Sequence, residues 1–298
     1  MKRISVPLDI VRPDYSVVMY TEQIYKVIRF KASGCRDLAL PRKPSEHYDT
    51  KLDSSLSRSR RVILELALCN PWDWFCTFTI SPEKADRFDL NGWYKGFTQW
   101  LRDNRKKGLE IAYLFVPERH GDGAWHMHGL LRGNMELVSF AEERKQGLSV
   151  PDFLVDGGYY DWPAYRERFG FCSLGRIHNP VATAFYCQKY VTKEQNRMVT
   201  ELGSKCYRAS QGLNRSVPRG DVYGSCAYLD QFLTHHYDFC SVGMTKLADG
   251  CDWSFALEYL DDEAVASFGE SFDPLDDSPD EEALRWEAME AELQYSFL

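Results

Sequence analysis

His126 and His128 stand one residue apart in the stretch "GAWHMHGLL" (123–131), inside an otherwise apolar run. On a β-strand, side chains alternate between faces, so the two imidazoles share one face while Trp125, Met127 and Gly129 share the other. Two imidazoles a strand step apart can hold one divalent metal together. A carboxylate as third ligand would suit a hard ion such as Mg²⁺ or Mn²⁺. Glu118 is the best candidate, because pairing of 109–118 with 125–131 across the turn would bring it close. His120, within the turn itself, is the weaker one. A packed histidine beside a surface-bonded one is the plainer alternative. A second constellation lies further on, where "YCQKYVTK" (186–193) repeats Tyr-x-x-Lys: Tyr186 with Lys189, then Tyr190 with Lys193. At about 100° per residue these four side chains form one helical stripe. Val181, Ala184, Phe185 and Val191 take the other side, expected to pack on a sheet and leave the tyrosines exposed. Phenols can act as nucleophiles, and nearby ammonium groups favour phenolate and hold phosphate. The plainer alternative is a solvated face with amphipathic tyrosines.

The elements that must position these residues are legible in outline. "FCTFTI" (75–80) alternates and is rich in aromatic residues and threonine, which reads as a strand. Leu90, Trp93, Tyr94, Phe97, Trp100 and Leu101 recur at helical spacing, predicting an amphipathic helix over 88–105. "LEIAYLFVPE" (109–118) and "WHMHGLL" (125–131) flank the turn residues "RHGDGA", predicting an antiparallel hairpin. "FCSLGRI" (171–177) reads as a fourth strand. Asn179 then offers a helix cap with Pro180 at the first helical position, starting a helix through "VATAFYCQKYVTKE".

The chain has 298 residues, of which 44% are hydrophobic and 14% aromatic, enough to bury a sizeable core. No run reaches the length of a membrane span, and the start "MKRISVPLDI" lacks a signal-peptide core, so a cytoplasmic location and no membrane partner are expected. Nine cysteines without a CxxC pair read as reduced thiols. The spacing of Cys226, His235, His236 and Cys240 matches no familiar zinc pattern. The formal net charge is −8, but Glu258 to Glu292 holds 14 acids and one base, Arg285. The remainder carries 30 acids and 35 bases, a mildly basic body that permits a polyanionic partner. The expected organisation is a basic arm or appendage over 1–62, ending in "SSLSRSRR" (54–61), a main domain over 63–245, and an acidic tail over 246–298. The stretch "PDEEALRWEAMEAEL" in that tail reads as a helix.

In combination, these motifs resemble the rolling-circle replication initiators of the HUH endonuclease superfamily. His126-Met127-His128 resembles the His-hydrophobic-His signature, and Tyr186 through Lys193 resembles the tyrosine helix of the two-tyrosine class. "FCTFTIS" (75–81) resembles that superfamily's first motif, and "VPERHGDGAWHMHGLL" resembles the hairpin of filamentous-phage-type initiators. The resemblance runs from about 65 to 213, ending in "KCYRASQGL".

It implies an α+β fold, an antiparallel sheet of about five strands flanked by helices, like the HUH endonuclease and RRM folds. It also implies metal-dependent nicking of single-stranded origin DNA: a tyrosine attacks, leaving a 5′-phosphotyrosyl link and a free 3′-OH, and later rejoining releases a circle. Implied partners are single-stranded DNA or an origin hairpin, with a host helicase and DNA polymerase. Arg58, Arg60, Arg61, Lys205 and Arg208 are then candidates for holding the DNA backbone. Two other readings compete: a relaxase or single-strand transposase with the same chemistry, and a catalytically silent DNA-binding repressor. Intact histidines and tyrosines speak against the repressor.

Overall fold

The computed structural model describes residues 13–31, 48–192, 199, 205–236, 240–247 and 269–272; for 48–55 and 269–272 only the backbone is considered. Lys193 and the expected tail helix over 279–293 lie outside the described residues. The chain folds as two compact units, Met1–Pro44 with Arg215–Asp276, and Ser45–Asn214 with Asp277–Leu298. The boundaries expected at 62 and 245 therefore fall elsewhere. The reason is strand pairing between the two ends of the sequence.

In the first unit, β1 (Tyr15–Met19) and β2 (Ile24–Phe30) form a hairpin. β1 also pairs with β10 (Val217–Val222), and β2 with β12 (Cys240–Leu247), all antiparallel. β11 (His235–His236) and β13 (Gly269–Phe272) complete the sheet on β12. Residues 15–30, expected in an appendage, are thus central strands. Tyr15, Val17, Tyr25 and Val27 alternate inward and pack on Leu229 and Phe232. No group of three or more His, Cys, Asp or Glu suited to a metal exists among the described residues, including around Cys226 and His235.

The second unit is an α+β structure built on a mixed-length antiparallel sheet. Its longer strands are β3 (Trp74–Phe78), β4 (Ile111–Arg119), β5 (Trp125–Gly133) and β8 (Cys172–Arg176). The two-residue strands β6 (Val138–Ser139), β7 (Tyr160–Asp161) and β9 (Arg208–Ala209) extend it, in the order β6-β7-β8-β3-β5-β4-β9. α2 (Leu90–Arg105) covers one face, as its periodicity demands. Leu90, Trp93, Tyr94 and Phe97 are buried against Cys76, Phe78, Phe115 and Met127. Asp89 caps that helix by accepting from the Gly92 amide at 2.9 Å.

The other face is covered by α1 (Tyr48–Leu68) and α6 (Pro180–Tyr186), which pack on each other. Between β6 and β8 lie the short helices α3 (Phe140–Lys145), α4 (Asp152–Asp156) and α5 (Pro163–Arg168). The basic run 54–61 is the middle of α1 rather than an arm, and Leu56, Ile63, Leu66 and Ala67 form its buried side. Among the described residues no helix is long and apolar enough to cross a membrane.

Candidate active site

The site lies on the sheet face beneath α1 and α6, and the β4–β5 hairpin builds most of it. Glu118 is directly opposite His126, and Val116 opposite His128. Directly opposed residues of an antiparallel pair point to the same face, so Glu118, His126 and His128 share one. Glu118 reaches diagonally to His128, its Oε2 2.9 Å from Nε2. The other imidazole nitrogen of His128 lies 3.2 Å from the Thr77 hydroxyl on β3, whose register places Thr77 beside His128. Gly129 permits this arrangement: a Cβ there would lie 1.9 Å from the Leu114 carbonyl, so any larger residue would push β4 and β5 apart.

The electrostatics fit a ligand set. Burial acts to raise the Glu118 pKa, but the hydrogen bond and charge of His128, helped by His126 and Lys189, outweigh it and hold the carboxyl below its usual range. His126 is pushed down to about 3, first by burial and then by His128 and His120, against smaller pulls from Glu118 and Asp122. It is therefore a neutral imidazole near neutral pH, the form that ligates metals. His120 stacks on His126 with ring centroids 4.8 Å apart, and its Nδ1 lies 3.4 Å from Asp122 Oδ1. These donors are gathered on one face but not closed into a cage. No set of three is arranged to hold a metal among the described residues, and Glu118 and His128 bond each other directly. By donor chemistry, two imidazoles and an ionised carboxylate fit Mn²⁺ or Mg²⁺ once that bond opens.

α6 begins as the sequence requires. Asn179 accepts from the Ala182 amide at 3.1 Å, and Pro180 occupies the first turn. It ends sooner than expected, at Tyr186, and the chain continues through turns over 187–190. The expectation of exposed tyrosines is corrected. Tyr186 is 6% and Tyr190 3% exposed, while Val181 and Phe185 are only half-buried. The phenol rings, rather than the aliphatic stripe, pack on the sheet. Tyr190 stacks on His128 with centroids 4.3 Å apart and planes 2° from parallel. Tyr186 meets Phe75 edge-on at 5.5 Å and Tyr190 edge-on at 5.7 Å. An amphipathic ring suits either side of a helix, which is why spacing alone misassigned the face. The Tyr190 hydroxyl is buried without a hydrogen-bond partner among the described residues. Leaving such a group unsatisfied costs about 1–3 kcal/mol. Lys189 sits over the Tyr186 ring at 5.0 Å, its Nζ donating to the Tyr186 hydroxyl at 3.5 Å.

The five basic candidates do not converge. Arg60, on α1, donates from Nε to the Val191 carbonyl at 2.9 Å, immediately after Tyr190. Arg58 and Arg61 are exposed on the same helix, and Lys205 is exposed before β9. Arg208 lies over the Tyr94 ring at 4.7 Å, on the α2 side of the sheet and away from the histidines. Sequence reasoning missed Thr77, the second partner of His128, although its place in "FCTFTI" opposite the HxH strand was available.

Together, the sheet, the His-x-His strand and the tyrosines above it define a site of the kind used on phosphodiesters. Residues 73–195, which contain β3, the hairpin, α6 and both tyrosines, match the family model of the replication-associated protein ORF2. That match spans less than half of the chain and lies within the second unit. No curated protein and no solved structure matches.

Proposed function

We propose that the protein is a rolling-circle replication initiator that nicks single-stranded origin DNA by tyrosine attack. The observation that carries this reading is Tyr190: a buried phenol stacked on His128, its hydroxyl unpartnered among the described residues, within a segment that matches replication-associated proteins. A ring so placed contributes little to structure that phenylalanine would not, and its hydroxyl is costly unless a ligand receives it.

His126, His128 and Glu118 would hold a divalent ion, Mg²⁺ or Mn²⁺. When bound, such an ion neutralises phosphate charge and makes phosphorus more electrophilic. The chain's own residues do the rest. Tyr190 or Tyr186 gives up its phenolic proton and its oxygen attacks phosphorus. The bond to the 3′ oxygen breaks, and that oxygen leaves as a hydroxyl after taking up a proton. The product is a 5′-phosphotyrosyl link, whose reversal rejoins strands without ATP because the phosphodiester energy is kept in the ester. Lys189 and Lys193 would hold phosphate and favour phenolate. Thr77 orients the His128 ring through the nitrogen opposite Glu118. The two tyrosines would alternate, one carrying the first strand while the other cuts the regenerated origin.

The test is incubation with pooled single-stranded oligonucleotides and Mn²⁺, followed by denaturing electrophoresis. Wild type is expected to form an adduct that survives denaturation, and the Tyr186→Phe/Tyr190→Phe protein none. An equal adduct yield from the double variant would refute tyrosine attack.

A further inference from the structure

The opposite end of the same hairpin, on the opposite sheet face, holds a basic trough that the nicking site does not use. The last turns of α2 (Thr98, Leu101, Arg102, Arg105), the start of β4 (Ile111, Tyr113) and residues 209–211 enclose a groove of about 560 Å³. A second hollow of about 510 Å³ shares Arg105 and Ile111 with it and is walled by Arg132, Asn134 and Glu110. Tyr113 and Ile111 belong to the face packed by α2, whereas Glu118 belongs to the histidine face. Seven residues of strand at about 3.3 Å each separate Ile111 from Glu118, so the trough lies roughly 20 Å from the nicking site.

Arg102, Arg105 and Arg132 are exposed, and none makes an ion pair or side-chain hydrogen bond among the described residues. Glu110 is the one acidic residue that lines either hollow. The negative end of the helix dipole explains cations in the last turn of α2. It does not explain Arg132, which comes from a strand and borders the same space. The floor is partly apolar, with Leu101, Leu109 and the half-buried Tyr113. Cations along a rim over an aromatic and aliphatic floor are the features that hold a single strand by its phosphates while its bases meet an apolar surface.

We propose that this trough is a second binding site for single-stranded nucleic acid, tracking a length of strand beyond the one that is cut. Its identification with DNA rests on the replication reading, but the binding itself does not. The test compares wild type with the Arg102→Gln/Arg105→Gln/Arg132→Gln protein for binding of a long oligothymidylate and of duplex DNA across a salt series, with adduct formation measured separately on a short oligonucleotide spanning only the nick. Each arginine that neutralises a phosphate of a single strand adds about 0.7 to the slope of log affinity against log salt. Removing all three should make that slope shallower by about 2. The corresponding triple lysine variant keeps the charge and should keep most of the slope. Adduct yield on the short oligonucleotide should not change. Equal slopes for wild type and the glutamine variant would overturn the proposal, as would a loss confined to duplex DNA. Absence of any adduct from wild type would refute the nicking reading, while the slopes would still decide the trough.

Discussion

Tyr190 and Tyr186 are chemically alike, but their surroundings differ. Tyr190 has its ring against His128, whereas Tyr186 stands one ring further out, over Phe75 and beneath Lys189. The phenol against the histidine is the one placed to act first. Tyr190→Phe should therefore lose most of the first-round adduct, by about tenfold or more, while Tyr186→Phe should keep it and fail to release closed circles over repeated rounds. Single-turnover adduct yield on a short substrate checks the first part, and circle release on a regenerating template the second. At this scale the sequence was largely legible. Strand alternation put His126 and His128 on one face, and hairpin pairing brought Glu118 to them. The face taken by the tyrosines was not legible, because a phenol ring packs in a core as readily as it projects into water. Nor was the role of Arg60: the basic run reads as a DNA-binding stretch, yet its guanidinium is bound to a backbone carbonyl.

That bond links two elements, since Arg60 on α1 holds the Val191 carbonyl where the chain leaves α6. A hydrogen bond to a charged group contributes about 1.5–3 kcal/mol at most, less where water competes. Arg60→Ala is expected to cut adduct yield severalfold while leaving the salt dependence of DNA binding unchanged, because the arginine positions the tyrosine segment. Arg58→Ala, on the exposed side of α1, should leave adduct yield alone. A loss of salt slope in Arg60→Ala would instead make it a phosphate contact.

Another linkage ties the far sheet edge together. Arg166 on α5 bridges Asp161 on β7 at 3.0 Å and Glu143 on α3 at 2.7 Å. Burial raises the Asp161 pKa to about 6; Glu143 adds to the rise, while Arg166 opposes it. The folded pKa therefore lies above the unfolded value, so folding takes up a proton between the two. The contribution to stability is present below about pH 4 and is lost as pH rises through about 6. The second unit should gain about 1–3 kcal/mol from this group between pH 7 and pH 4, and Asp161→Asn should flatten that part of the profile. Denaturant unfolding of both proteins at several pH values measures it; parallel profiles would exclude Asp161 as the source. Nothing local in the sequence announced this cluster, whose three members meet only when α3, β7 and α5 close over one another.

At the scale of the whole molecule, legibility follows contact distance along the chain. The β4–β5 hairpin and α2 are local structures, and turn chemistry and periodicity revealed both. The first unit went unread because β1 and β2 find β10 and β12 some two hundred residues away. The alternation of Tyr15, Val17, Tyr25 and Val27 was present as a strand signal, but no local pattern names a partner so distant. The match to replication-associated proteins lies wholly within the second unit, where the histidines, Glu118 and both tyrosines reside. The central claim is that these residues form one nicking centre. It is tested most directly by digesting the covalent adduct formed with Mn²⁺ and mapping the modified peptide by mass spectrometry, for wild type and for His128→Ala. The account predicts a 5′-phosphonucleotide on Tyr190 or Tyr186 in wild type, and at least about a hundredfold less adduct without the His128 imidazole. A nucleotide attached at any other residue, or an undiminished yield from His128→Ala, would contradict it.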